Sequence, residues 1–296
     1  MLKSIVLLIL LTFTFGARED QQEPFDVELN KLNDKPLLPV VSVKNKLIHR
    51  GVFSQDLNEF YFTVSDYDYT HFDIMCTRKV DGVWSKPSKS VFNSDYDDHG
   101  MSFSPEGNFL YFSSTRPVGD EGVSDTWHIW RSEQRDGQWS VPEYIDIVNL
   151  RDKLLSHPTV TTSGELYFHA SNLDYSEMDI YYSTQVDGKF QLALKLELPN
   201  DKGYNKCTPY VAADGSYLFF ATIKDQLIMY MSFRNEDGRW GEAKALRASI
   251  STDGQGNPNV TPDGAFLIYT RGMHGDDNKL PEWSLKFVSM DSVLGK

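Results

Sequence analysis

Two repeated signatures running in the same phase predict an all-β fold, a five-bladed β-propeller of four-stranded blades. One signature is an Asp-Gly pair followed by an aromatic residue, in VDGVW, RDGQW, VDGKF and EDGRW. Its aspartates, Asp81, Asp136, Asp187 and Asp237, lie 55, 51 and 50 residues apart. The other signature is FSQDLNEFYF, FSPEGNFLYF, VTTSGELYF, VAADGSYLFF and VTPDGAFLIY, starting at Phe53, Phe103, Val160, Val211 and Val260. A third observation concerns the ends. DKPLLPVVSVKNKLIHRGVFS matches WSKPSKSVFNSDYDDHGMSFS, so the chain enters as a fourth strand, while the last repeat supplies three. The expected blades are 49–98, 99–155, 156–206, 207–255, and 256–296 with 30–48, the N-terminal strand completing the last blade and closing the ring. Deleting residues 17–48 would then lower the melting temperature sharply.

Each element has a local cause. The stretch His99 to Trp139 holds one whole unit: strand MSFS, turn PEG, strand FLYFSS, a polar loop, strand WHIWRSEQ, and a DG turn. Asp-Gly between apolar runs favours a two-residue hairpin, because both central residues take φ > 0. LYFSS, LYFHAS and LFFAT are apolar almost throughout, as suits strands buried on both faces between blades. Trp84, Trp139, Phe190 and Trp240 recur at one blade position and read as packing residues.

The chain has 296 residues, which suits one large β domain over 30–296. Residues 1–16, MLKSIVLLILLTFTFG, have the charged start, apolar core and small final residue of a secretory signal. Residues 17–29 are polar and expected to be flexible. The protein is expected to be exported, periplasmic or extracellular, and monomeric. Loss of the signal removes Lys3 and takes the formal charge from −13 to −14. Such a surface disfavours nucleic acid and anionic lipid. Cys76 and Cys207 fall in non-adjacent blades and are expected to be buried and unbridged.

SPEGNFLYFSSTR, TPDGAFLIYTRG and DIYYSTQVDGKF resemble the WD-like propeller repeat of TolB-type proteins of bacterial envelopes, over residues 49–290. The resemblance implies the fold. Neither the extra N-terminal domain of TolB nor the hydrolase domain of prolyl-oligopeptidase-type enzymes is expected within these 296 residues, so TolB's partner is not implied.

Loops joining second to third strands share a face with those joining blades, and this face carries the long loops. The residues expected to bind a ligand there are Asp66, Asp68, His71, Asp95, Asp97, Asp98, His99, His157, Asp174 and Tyr204. Clustered carboxylates can chelate Ca²⁺, and tyrosines beside them suit sugars or cationic side chains. SDYDYTHFD lacks the glycine and final glutamate of a calcium loop, and solvated acidic loops are the plainer reading. No cofactor is expected, with Ca²⁺ the one candidate. His49, His99 and His157 sit near the channel, where a structural role outweighs zinc binding.

Two functions compete. One is a non-catalytic module recognising a protein or glycan on the acidic, Tyr-rich face. The other is a glycosidase-like enzyme with paired carboxylates at the channel mouth. A sialidase-like site would need an arginine cluster, for which Arg50, Arg116 and Arg271 are available, and Asp-box turns, for which SPEGNFLYF lacks the expected tryptophan, so it is disfavoured. A lactonase-like one would use Asn257 and Asn259. No G-x-S-x-G or H-E-x-x-H element is present.

Overall fold

The computed structural model of the protein describes residues 38, 41–199, 201–223, 227–246, 254–273 and 280–294. Five antiparallel sheets follow one another along the chain. The first contains Leu47–Phe53, Glu59–Ser65, Asp73–Val80 and Ser88–Lys89. The second contains Asp98–Phe103, Phe109–Ser114, His128–Arg135 and Glu143–Tyr144. The third and fourth repeat this order from Leu154–Val160 and Asn205–Val211. The fifth has three described strands, Gly254–Val260, Phe266–Met273 and Glu282–Ser289. The first strand of each sheet packs on the first strand of the next, and the fifth returns to the first. The molecule is a five-bladed β-propeller with its first strands around the axis.

The core is five wedges, one between each pair of blades. In the first blade Tyr61 points into the wedge shared with the second, beside Leu110 and Phe112. Its neighbours Phe60 and Phe62 point the other way, into the wedge shared with the fifth, beside Ile268. Both faces of the strand are therefore buried, which is why its sequence is continuously apolar. Trp84, Trp139, Phe190 and Trp240 each seal the wedge toward the preceding blade. Cys76 and Cys207 are free and buried.

The closing wedge also holds Leu38, Val41 and Val43, packed with Leu285 and Phe287 of the last blade. This is where an N-terminal segment must lie to complete that blade. Residues 41–46 form no strand, and the rest of the expected closing strand lies outside the described residues, as do residues 1–16.

Three Asp-Gly pairs have φ > 0 at both residues: Asp81 and Gly82 (51° and 80°), Asp136 and Gly137 (51° and 75°), and Asp187 and Gly188 (49° and 77°). The fourth differs. Arg234 pairs with Trp240 across a five-residue loop, and only Gly238 has φ > 0 there. The extra residues make the one-sided turn that longer hairpin loops use.

Candidate functional site

Every first strand carries a bulge: in blades two to five at one equivalent place, between His99 and Ser102, Ser156 and Thr159, Cys207 and Tyr210, and Gly256 and Asn259, and in blade one a residue earlier, between Ile48 and Gly51. In blades two to five a residue of the bulge has positive φ: Gly100, His157, Thr208 and Asn257. Three bulges contain proline, Pro158, Pro209 and Pro258, whose missing N–H is tolerated where the ladder is already broken. Bulges re-aim side chains, and here they set two layers along the axis.

The first layer is Arg50, Gly100, His157, Thr208 and Asn257. Arg50 is fully buried and crosses the axis, its Nη1 donating to the carbonyl of Pro209 at 3.2 Å. Gly100 leaves room for the His157 ring, which a Cβ there would meet at 3.3 Å. Second strands tie this layer together. Thr63 Oγ1 accepts from the N–H of Gly100 at 3.4 Å, and Ser113 Oγ from that of His157 at 3.0 Å. His169 Nδ1 accepts from that of Thr208 at 3.3 Å. The His169 ring is therefore neutral, with its proton on Nε2.

Toward the long-loop face the axis is packed with rings. His99 lies 4.1 Å from Trp127, 5.2 Å from Phe72 and 4.8 Å from His157, whose ring is 5.1 Å from His169. His49 sits against Phe72 and Trp283. Ser156 Oγ lies 2.8 Å from His99 Nε2 and 3.0 Å from His157 Nδ1. Burial holds all four histidines below their ordinary pKa, His49 at about 4 and His169 at about 3, with His99 and His157 well below the usual value. Among the described residues no carboxylate makes a hydrogen bond or ion pair with His49, His99, His157 or His169. Among the described residues no group of three or more His, Cys, Asp and Glu side chains has the arrangement to hold a metal ion.

The second layer, Val52, Ser102, Thr159, Tyr210 and Asn259, lines a cavity of about 360 Å³ that opens at the short-turn end. This axial cavity is thus on the face opposite the long loops. Sequence reasoning passed over it because its residues come from five separated strands. The recurring inner-strand column was the available signal.

On the loop face, most of the expected binding carboxylates are engaged in holding the loops. Asp66 accepts from Lys46 Nζ at 2.6 Å and lies 2.9 Å from His71 Nδ1. Asp68 accepts from Thr70 Oγ1 at 2.7 Å, and Asp174 from Ser176 Oγ at 2.6 Å. Asp97 accepts from the Phe72 N–H at 2.8 Å. Asp98 is fully buried and paired with Arg116 at 2.6 Å. Asp95 is exposed, and Tyr204 lies apart beside Lys206 in a small surface cleft. His99 and His157 come together. The other expected residues form no single cluster, and His274, Asp276 and Asp277 lie outside the described residues.

Two of these loops are twins. Residues 66–71 and 172–177 share the same bonds: Asp66 N–H to Thr70 O and Asn172 N–H to Ser176 O, then Tyr69 N–H to Asp66 O and Tyr175 N–H to Asn172 O. Both put non-glycine residues at positive φ in matching places, Tyr69 (60°) with Tyr175 (62°), and His71 (52°) with Glu177 (50°). Tyr69 is 40% exposed, Tyr175 57%, and Tyr96 on the neighbouring blade connection 49%.

No protein-family model and no curated protein matches the chain. Solved structures do. The protein assigned as TolB in Agrobacterium tumefaciens superposes with a TM-score of 0.52 at 15% identity, over 86% of this chain and 81% of that one. TolB from Acinetobacter baumannii gives 0.50 at 13%, over 83% of this chain and 56% of that one. A GH43 endo-arabinanase from Bacillus licheniformis gives 0.51 at 14%, over 84% and 96%. The fold is that of the TolB-like β-propellers, a scaffold shared by proteins of different function.

Proposed function

We propose that this protein is an exported, non-catalytic recognition propeller that holds a protein or glycan partner on its long-loop face, through Tyr69, Tyr96 and Tyr175. The observation that carries the proposal is the pair of twin loops. Positive φ at a non-glycine residue costs about 1–2 kcal/mol. Here that cost falls on tyrosines in two blades, at the same place, that keep exposed surface, although the Tyr69 hydroxyl also accepts from Trp283 Nε1 at 2.8 Å. Strain kept at exposed aromatic residues is a mark of recognition surfaces. The surrounding Asp68, Asp95, Asp174 and Glu177 favour a partner with cationic or hydroxyl groups. Export rests on the character of residues 1–16 and accords with the TolB-like fold.

The glycosidase alternative needs two carboxylates about 5–9.5 Å apart. Neither axial layer contains an Asp or a Glu, which leaves that chemistry without its acid and base there.

The test screens the mature protein against a glycan array and an envelope extract, beside a Tyr69→Ala/Tyr175→Ala variant shown to be folded. Loss of a ligand by tenfold or more in the variant supports the reading. Equal retention, or no ligand for the wild type, rejects it. An acidic control should change Asp95 alone, because Asp97 and Asp98 hold the fold.

A further inference from the structure

Next to the cavity at the short-turn end is a buried charge that has no counter-ion among the described residues. Arg50 is fully buried and, among the described residues, makes one hydrogen bond, while its Nε and Nη2 find no partner. Burial lowers its pKa only to about 10, so it stays a cation at neutral pH. The buried histidines around it are neutral and no carboxylate acts on it. Val52, two residues along the same strand, and Tyr210, the residue after the carbonyl that Arg50 holds, both line the cavity. Arg50 does not itself line the cavity, but it is next to it through these two neighbours, in a low-dielectric interior that screens its charge weakly.

The wall above is polar where it faces inward. Asn259 and Thr159 have side chains without a partner among the described residues, though both are more than nine-tenths buried. Ser102 donates to the Pro158 carbonyl at 2.7 Å and keeps its lone pairs. Asp214, the acidic residue at the rim, accepts from the Ser216 N–H and Oγ, at 2.9 Å and 2.6 Å, within its own turn. The pocket thus has open hydrogen-bonding groups, one buried cation near it and a volume suited to a small ligand.

We propose that this cavity binds a small hydroxylated anion, of the class of a monosaccharide acid, with its charged group toward Arg50 and its hydroxyls on Asn259 and Thr159. The site is at the opposite end of the axis from the tyrosine loops and stands or falls separately from them.

Calorimetric titration at fixed ionic strength tests it with galacturonate, galactose, chloride and a galacturonate trisaccharide. Galacturonate should bind at least tenfold more tightly than galactose, and chloride should compete weakly. A trisaccharide that binds better than the monomer assigns the end of a glycan, and equal binding assigns the free acid. Arg50→Met should remove the preference for acid over sugar. Asn259→Ala should weaken both about tenfold, and it serves as the decisive variant if Arg50→Met does not fold. Equal affinity for acid and sugar, no binding of either, or no effect of Asn259→Ala overturns the proposal.

Discussion

His49, His99, His157 and His169 show how single side chains set the behaviour of the axis. All four are neutral in the folded protein because burial disfavours the cation. In the unfolded chain their pKa returns to about 6.5. Below that value the unfolded state binds more protons, so stability is complete above it and falls as the pH drops toward 4 for His49 and 3 for His169. Each histidine contributes a slope of up to about 1.4 kcal/mol per pH unit. The melting temperature should therefore fall steadily from pH 7 to 5, a window above the titration of ordinary carboxylates. His169→Ser, which restores the kind of hydroxyl found at this position in Thr63 and Ser113, should flatten that fall. A melting temperature constant over this window would contradict neutral, buried histidines. The sequence placed His49, His99 and His157 near the axis. Their partner His169 was not placed there, because it lies on a second strand whose pattern reads as plain core.

At the scale of the element, the twin loops separate stability from recognition. Replacing Tyr175 with glycine removes the positive-φ penalty and little packing, since the side chain is mostly exposed. Tyr175→Gly should leave the protein as stable as before, or more stable by about 0.5–1 kcal/mol. Denaturant unfolding reads this directly, and partner binding should fall in the same variant. A clear loss of stability would mean the tyrosine is a packing residue instead. The sequence placed these loops on one face with the blade connections and weighted their carboxylates. It could not show that Asp66, Asp68 and Asp174 fold back on their own loops, because such bonds depend on the turn's dihedral angles.

For the whole molecule, the sensitive place is the seam between the last blade and the first. Leu38 is buried there with Phe60, Phe62 and Ile268, although it precedes the first strand. Leu38→Ala should cost about 2–4 kcal/mol, as a deleted core leucine does. An exposed, unpacked leucine would cost almost nothing, so the melting temperature of this variant measures the closure.

What the sequence by itself determined is whatever recurs locally: the Asp-Gly hairpins, the strands buried on both faces, the sealing aromatics and hence the number of blades. Each of these follows from the φ preferences and burial of neighbouring residues, and repetition makes them visible. The tertiary structure alone decided what meets at the axis. Arg50 reaches Pro209, 159 residues away, because five bulged strands converge when the ring closes. That convergence depends on the summed rotation of all the blades, and a repeat read one unit at a time does not contain it.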